Sequence, residues 1–123
     1  MKQLILIVED NDKNLKLTRD VLRFHGFETI EATNAEDGIA LAQQRKPDLV
    51  LMDIQLPGMD GVSALQKLRL NAATAAIPVV ALTASVMKED RERFDKAGFD
   101  GFITKPISVK AFPDQVRAYM RAK

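Results

Sequence analysis

At 123 residues and 13.7 kDa the chain has room for one compact core and little more. With 18 basic and 17 acidic residues its net charge is +1, so it lacks the basic excess of a nucleic-acid-coating protein, and its 46% hydrophobic content excludes a disordered polyelectrolyte. It has no Cys and a single His, His25, which excludes disulfide scaffolds, thiol nucleophiles, Cys-based zinc sites and multi-histidine metal centres.

In chain order, the first element is Leu4-Ile5-Leu6-Ile7-Val8, apolar at every position and the longest such run. That is the pattern of a strand covered on both faces, and it is far too short to cross a bilayer. No leader precedes it, so a soluble, cytoplasmic protein with no membrane partner is expected. After Asp12, Leu17, Val21 and Phe24 recur at helical spacing with Leu22 beside them, and Gly26 offers a stop. Residues 27–32 mix polar and apolar side chains, as suits an edge strand. Asn34 and Asp37 form a capping pair for a helix with Ala35, Ile39 and Ala42 inward.

Leu49–Met52 is a second fully apolar strand, followed by a helix over 61–70 with Leu65 and Leu68 on one face. Val79–Leu82 is a third such strand. The helix predicted over 87–97 is the most polar, anchored by Phe94 and Ala97 and stopped by Gly98. A short strand spans 101–104. The last helix is capped by Ser108 and carries Val109, Phe112, Val116 and Tyr119 as its stripe, with Pro113 inside it removing one backbone donor. Strand and helix thus alternate five times. This predicts an α/β fold, a single doubly wound (βα)5 domain with helices on both faces of a parallel sheet.

In such folds ligands collect at the carboxyl ends of the strands. Strand one ends in Glu9-Asp10, strand three in Asp53, strand four in Thr83 and strand five in Thr104-Lys105-Pro106. Three carboxylates, a hydroxyl and an ammonium are therefore expected on one rim. Two like charges ~5 Å apart repel by roughly 3 kcal/mol at an effective dielectric of about 20, so the acids need a cation. Hard oxygen donors suit Mg²⁺, and its charge with that of Lys105 balances the three acids. Asp53 stands on a rigid strand end before the turn at Pro57-Gly58, with Gly61 allowing close packing of the next helix. Gln55 is placed to aim a backbone carbonyl at the metal. A carboxylate so placed can act as a nucleophile toward a phosphoryl donor.

Val8-Glu9-Asp10-Asn11, the run from Met52 to Gly61, Leu82-Thr83-Ala84 and Lys105-Pro106, each at a strand end, together resemble the receiver domain of bacterial response regulators. The resemblance covers the whole chain. It implies a five-stranded sheet of order 2-1-3-4-5, as in flavodoxin and CheY. It implies that Asp53 accepts a phosphoryl group from a phosphohistidine of a kinase or phosphotransfer protein. Asp10 would bind Mg²⁺ directly, Glu9 through water, and Gln55 through its backbone oxygen. Lys105 would contact the phosphoryl group, with a cis peptide before Pro106, and Thr83 would engage it after modification. Phe102 matches the switch aromatic, and Gln55 and Ser85 match positions that tune dephosphorylation.

The surface that changes would be the fourth helix, fifth strand and fifth helix, which would meet a downstream protein partner. The chain resembles most the DivK-type single-domain regulators, through Asn14, Lys16 and Leu17 after the first acidic motif and through Lys105-Pro106-Ile107-Ser108-Val109. Met1 and Lys123, close against the first and last elements, suggest a receiver over 1–123 with no output domain, acting by protein contact. A receiver cut from a hybrid histidine kinase is the alternative. A Mg²⁺-dependent phosphatase is a further one, though the Asp-x-Asp pair of dehalogenase-type phosphatases is absent. A flavodoxin-like nucleotide binder would need a Gly-rich loop where Asp10-Asn11-Asp12 stands.

Overall fold

The computed structural model describes residues 2–84 and 87–121; Met1, Ser85, Val86, Ala122 and Lys123 lie outside the described residues. Ten elements alternate: β1 (Leu4–Val8), α1 (Asp12–Phe24), β2 (Glu28–Ala32), α2 (Ala35–Arg45), β3 (Leu49–Asp53), α3 (Gly61–Leu70), β4 (Val79–Thr83), α4 (Lys88–Ala97), β5 (Gly101–Thr104) and α5 (Phe112–Arg121). The strands form one parallel sheet of order β2-β1-β3-β4-β5, as expected.

Each apolar strand feeds two cores, because successive side chains point to opposite faces. Leu6, Val8, Val50, Met52, Val79 and Ala81 face α2, α3 and α4, where Ala35, Ala42, Leu65, Leu68 and Phe94 meet them. Ile5, Ile7, Leu49, Leu51, Val80 and Leu82 face α1 and α5, against Leu22, Phe112 and Val116. This double burial is why β1, β3 and β4 read as continuous apolar runs, while β2, at the sheet edge, keeps Glu28 exposed.

Local signals place the helix ends. The Asn34 side chain accepts from the Asp37 amide at 2.8 Å, and the Asp60 side chain accepts from the Ser63 amide at 2.8 Å. Gly98 ends α4 at φ +105°, the left-handed conformation that favours glycine.

Two expectations are corrected. On α1 the buried stripe is Leu15, Thr18, Val21 and Leu22, whereas Leu17 is 38% and Phe24 85% exposed. At 3.6 residues per turn, Leu17 lies on the far side of the helix from Leu15, and Phe24, seven residues on, shares that outer face. The aromatic that enters the core is Phe27, ahead of β2. On the last helix, Val109 falls in the turn before α5 and is exposed. Ser108 Oγ accepts from the Ala111 amide at 3.2 Å and its carbonyl accepts from Phe112 N at 2.8 Å, so the α-helix begins at Phe112. Pro113 is then the second helical residue, where a backbone N–H has no intrahelical acceptor and its loss breaks no bond.

Candidate functional site

The strand order reverses between β1 and β3, and both strands deliver acids to the crevice at that switch point. Glu9 and Asp10 follow β1, and Asp53 closes β3. Backbone hydrogen bonds hold the rim: Glu9 N donates to Ala32 O at 3.0 Å, Ile54 N to Leu82 O at 3.1 Å, and Lys105 N to Thr83 O at 2.8 Å. The Lys105–Pro106 peptide is cis. Gly61 closes the loop from below, its amide donating to Ile54 O at 3.1 Å.

These constraints bring together the residues singled out in the sequence. Carboxylate oxygens of Glu9, Asp10 and Asp53 lie within 4.8 Å of one another. Glu9 and Asp53 are buried, and Asp10 is exposed at the mouth. Lys105 Nζ lies 3.3 Å from Glu9 Oε1 and 3.1 Å from Asp53 Oδ2. Asn11 N donates to Glu9 Oε2 at 3.4 Å, and Gln55 N donates to Asp53 Oδ1 at 3.0 Å. The sequence directed attention to the Gln55 carbonyl; its amide also serves, by fixing the Asp53 carboxylate.

The electrostatics follow from this crowding. Burial, then the hydrogen bond and charge of Asp53, push Glu9 from an ordinary 4.5 up to about 7, against the pull of Lys105 and the Asn11 amide. Burial alone would lower Lys105, but Asp53 and Glu9 outweigh it and hold the ammonium above its usual range. Near neutral pH the Glu9 carboxyl is therefore partly protonated, which eases the crowding of negative charge. An all-oxygen donor set of three acids with one lysine fits a hard divalent cation such as Mg²⁺.

Thr83 is buried at the end of β4 and lines, with Asp53, Gln55 and Lys105, a cleft of about 420 Å³. Phe102 pairs with Ala81 across the β4–β5 ladder, two residues before Thr83 on the same sheet face. Its ring is half-buried, with the Arg91 guanidinium 5.1 Å from the centroid. Behind it the Tyr119 hydroxyl donates to Phe102 O at 3.1 Å. Ser85 lies outside the described residues.

Two residues of the cleft went unread in the sequence: Asp90 and Arg93, which line it from α4. Their spacing, three apart on the most polar helix, looks like an ordinary solvated pair. Only the packing of α4 against α3 and β5 puts them on the wall of the cleft that Asp53 also lines.

A doubly wound sheet with acids at its switch point and a lysine across from them has counterparts among known proteins. The response regulator receiver domain model matches residues 5–117, and the chain belongs to that family. It is 42% identical over 120 residues to the polar-differentiation response regulator DivK of Brucella anthropi, covering 98% of each chain. The receiver domain of a sensor histidine kinase from Pseudomonas aeruginosa, crystallised with a magnesium ion coordinated in the active site cleft, is 29% identical with a TM-score of 0.90, covering 98% of this chain and 99% of that one. The chemotaxis protein CheY4 of Vibrio cholerae shares the fold, at a TM-score of 0.91 and 20% identity over 97% of this chain and 99% of that one. No described helix is long and apolar enough to cross a membrane.

Proposed function

We propose that this chain is a single-domain, DivK-like response regulator in which Asp53 receives a phosphoryl group from a phosphohistidine. The supporting observation is the convergence of Glu9, Asp10, Asp53 and Lys105 on one cleft. The 42% identity to DivK, against 29% to the receiver of a sensor histidine kinase, favours that reading over a receiver from a hybrid kinase.

In the reaction, an Asp53 carboxylate oxygen forms a P–O bond as the P–N bond of the donor breaks, and the electron pair returns to the imidazole nitrogen. Glu9, Asp10, Asp53 and the Gln55 backbone oxygen would hold Mg²⁺, which when bound supplies positive charge beside the transferring phosphoryl oxygens. Lys105 lies on the other side of Asp53 and stabilises the same charge. Gln55 N, bonded to Asp53 Oδ1, orients the carboxylate and leaves its other oxygen facing Lys105.

Thr83, on the cleft wall, would hydrogen-bond the new phosphoryl group. Its displacement would open space toward Phe102 on the same sheet face, and the exposed surface of α4, β5 and α5 would change for a downstream protein partner. A kinase or histidine phosphotransfer protein would supply the phosphoryl group, in the cytoplasm. A complete switch needs several phosphoryl contacts, and a single contact supports only a smaller shift. A 1:99 to 99:1 shift takes about 5.5 kcal/mol, and one charge-assisted hydrogen bond gives roughly 1.5–3 kcal/mol.

The test is incubation with Mg²⁺ and acetyl phosphate followed by intact-mass measurement. Native protein gains one phosphoryl mass and Asp53→Asn gains none; equal gain by both overturns the assignment.

A further inference from the structure

We infer that Arg93 is a donor-binding residue, its guanidinium taking the outer anionic oxygens of a small acyl phosphate as that molecule enters the cleft. This rests on the reading of Asp53 as phosphoacceptor.

The charges around the cleft divide into two layers. In the inner layer Lys105, 19% exposed, already stands between Glu9 and Asp53. In the outer layer Asp10 and Asp60 border a second hollow that opens beside the first, and Asp90 borders the cleft itself. A multiply charged phosphate arriving from solvent meets these outer acids first. Among the described residues lining the two hollows, the cation of the outer layer is Arg93, and it lines both.

Its anchoring suits the role. The Arg93 guanidinium itself lies over the ring of the buried Phe94, its central carbon 5.3 Å from the centroid, so the charged fork is held in place where it lines the cleft. The tip pairs with Asp90 Oδ1 at a long 3.5 Å, and the side chain is 61% exposed. Such exposed pairs three residues apart hold weakly. A guanidinium offers a flat fork of donors matched to two phosphate oxygens, a stronger arrangement than the one it would leave. The charge of Arg93 also reaches Asp60, whose carboxyl is held below its usual range chiefly by the Ser63 amide, then by the Ser63 side chain and the Val62 amide, with this arginine the smallest contributor. Arg93 therefore lines both hollows and can exchange its Asp90 contact for an incoming anion.

The transfer itself is unchanged by this contact. An Asp53 oxygen bonds phosphorus, the P–O bond to the acyl group breaks, and the acyl oxygen leaves as carboxylate with the electron pair. Arg93 acts on donor capture, so it affects half-saturation rather than the saturating rate.

The experiment measures initial phosphorylation rates by intact mass against acetyl phosphate concentration, at fixed Mg²⁺, for native protein, Arg93→Gln and Arg93→Lys. The expected result is a five- to tenfold rise in half-saturating donor for Arg93→Gln with the saturating rate kept within twofold. Arg93→Lys should recover part of that loss. Thermal melts of the three proteins should coincide, since Arg93 is exposed. Native protein that takes phosphoryl, with an unchanged half-saturation in Arg93→Gln, overturns this inference alone. A fall in saturating rate without a change in half-saturation overturns it as well. Absence of any phosphoryl gain by native protein removes the Asp53 reading and this inference with it.

Discussion

Lys105 Nζ stands 3.1 Å from Asp53 Oδ2 and 3.3 Å from Glu9 Oε1, so one ammonium bridges two buried acids that come from separate strands. Its backbone is tied in turn to β4, through Lys105 N and Thr83 O. The lysine thus has a structural duty as well as the proposed chemical one, and the two separate by experiment. Lys105→Met should slow phosphoryl gain from acetyl phosphate by about 10²-fold, the usual scale for losing one preorganised charge at a reacting oxygen. It should also lower the metal-free melting temperature at pH 8, because two crowded carboxylates lose their partner. Calorimetry in EDTA and intact-mass kinetics in Mg²⁺ read the two effects independently.

Glu9 carries a pH dependence whose sign is fixed by the direction of its shift. Its carboxyl is raised from 4.5 to about 7 in the folded chain, so between those values the folded state holds a proton that the unfolded state has released. Stability from this group is full below pH 4.5 and is lost as pH rises through 7, by on the order of 3 kcal/mol at most. The raised Lys105 contributes in the same sense, but only at alkaline pH, and the lowered Asp60 acts at the acid end. In EDTA, then, the melting temperature should fall between pH 5 and pH 8, and Glu9→Gln should flatten that slope. Mg²⁺ should bind more tightly as pH rises over the same window, with proton release detectable by titration calorimetry in buffers of different ionisation enthalpy. A flat native profile in EDTA would contradict the raised Glu9 carboxyl.

The order of elements was legible because β1, β3 and β4 are buried on both faces and capping residues mark helix ends, as at Asn34 for α2 and Gly98 for α4. The inner site was legible for a related reason. Glu9, Asp53 and Thr83 each follow an apolar run directly and Lys105 follows Thr104 at the end of β5, so the strands themselves position them. Leu17 and Phe24 misled because an apolar residue on the outer face of α1 keeps the same helical spacing as one on the inner face, and only contact with the sheet selects between them. Asp90 and Arg93 were illegible for the opposite reason. They belong to a helix with one buried anchor, Phe94, and their relation to Asp53 depends on where that helix docks.

Gly61 links the packing of α3 to the position of Asp53. A Cβ built there would lie 2.7 Å from the Asp53 carbonyl oxygen and 3.0 Å from the Ile54 Cα, both backbone atoms that cannot swing aside. Gly61→Ala must therefore displace either the end of β3 or the start of α3. The expected outcome is a loss of about 1–3 kcal/mol in stability by urea titration. Phosphoryl gain should drop beyond what that loss accounts for, because the carboxylate moves relative to Lys105. Gly58→Ala is the control: there a Cβ meets nothing, and the strain is the local one of a residue at φ +76°.

At the opposite end of the sheet Arg69 clasps two connections. Its guanidinium donates to Ala75 O at 3.2 Å and Ile77 O at 2.7 Å in the α3–β4 connection, and to Gly98 O at 3.3 Å and Asp100 Oδ2 at 2.9 Å in the α4–β5 connection. Asp100 Oδ2 also accepts from the Val79 amide at 2.8 Å, so β4 joins the same knot. Arg69→Ala removes four donors at once and leaves the Asp100 carboxylate without this cation. We expect a loss of about 2–3 kcal/mol, above that of a single hydrogen bond and below that of a fully buried ion pair, since both side chains are 26% exposed. Asp100→Asn should cost less, because an amide oxygen still accepts from Val79. The double variant should fall short of the sum, the coupling reporting the shared contact. The knot is remote from the acidic rim, so phosphoryl gain per folded molecule should stay at the native level in all three. A large fall in that rate for Arg69→Ala would mean that α4 docks on the cleft through this clasp rather than through Phe94.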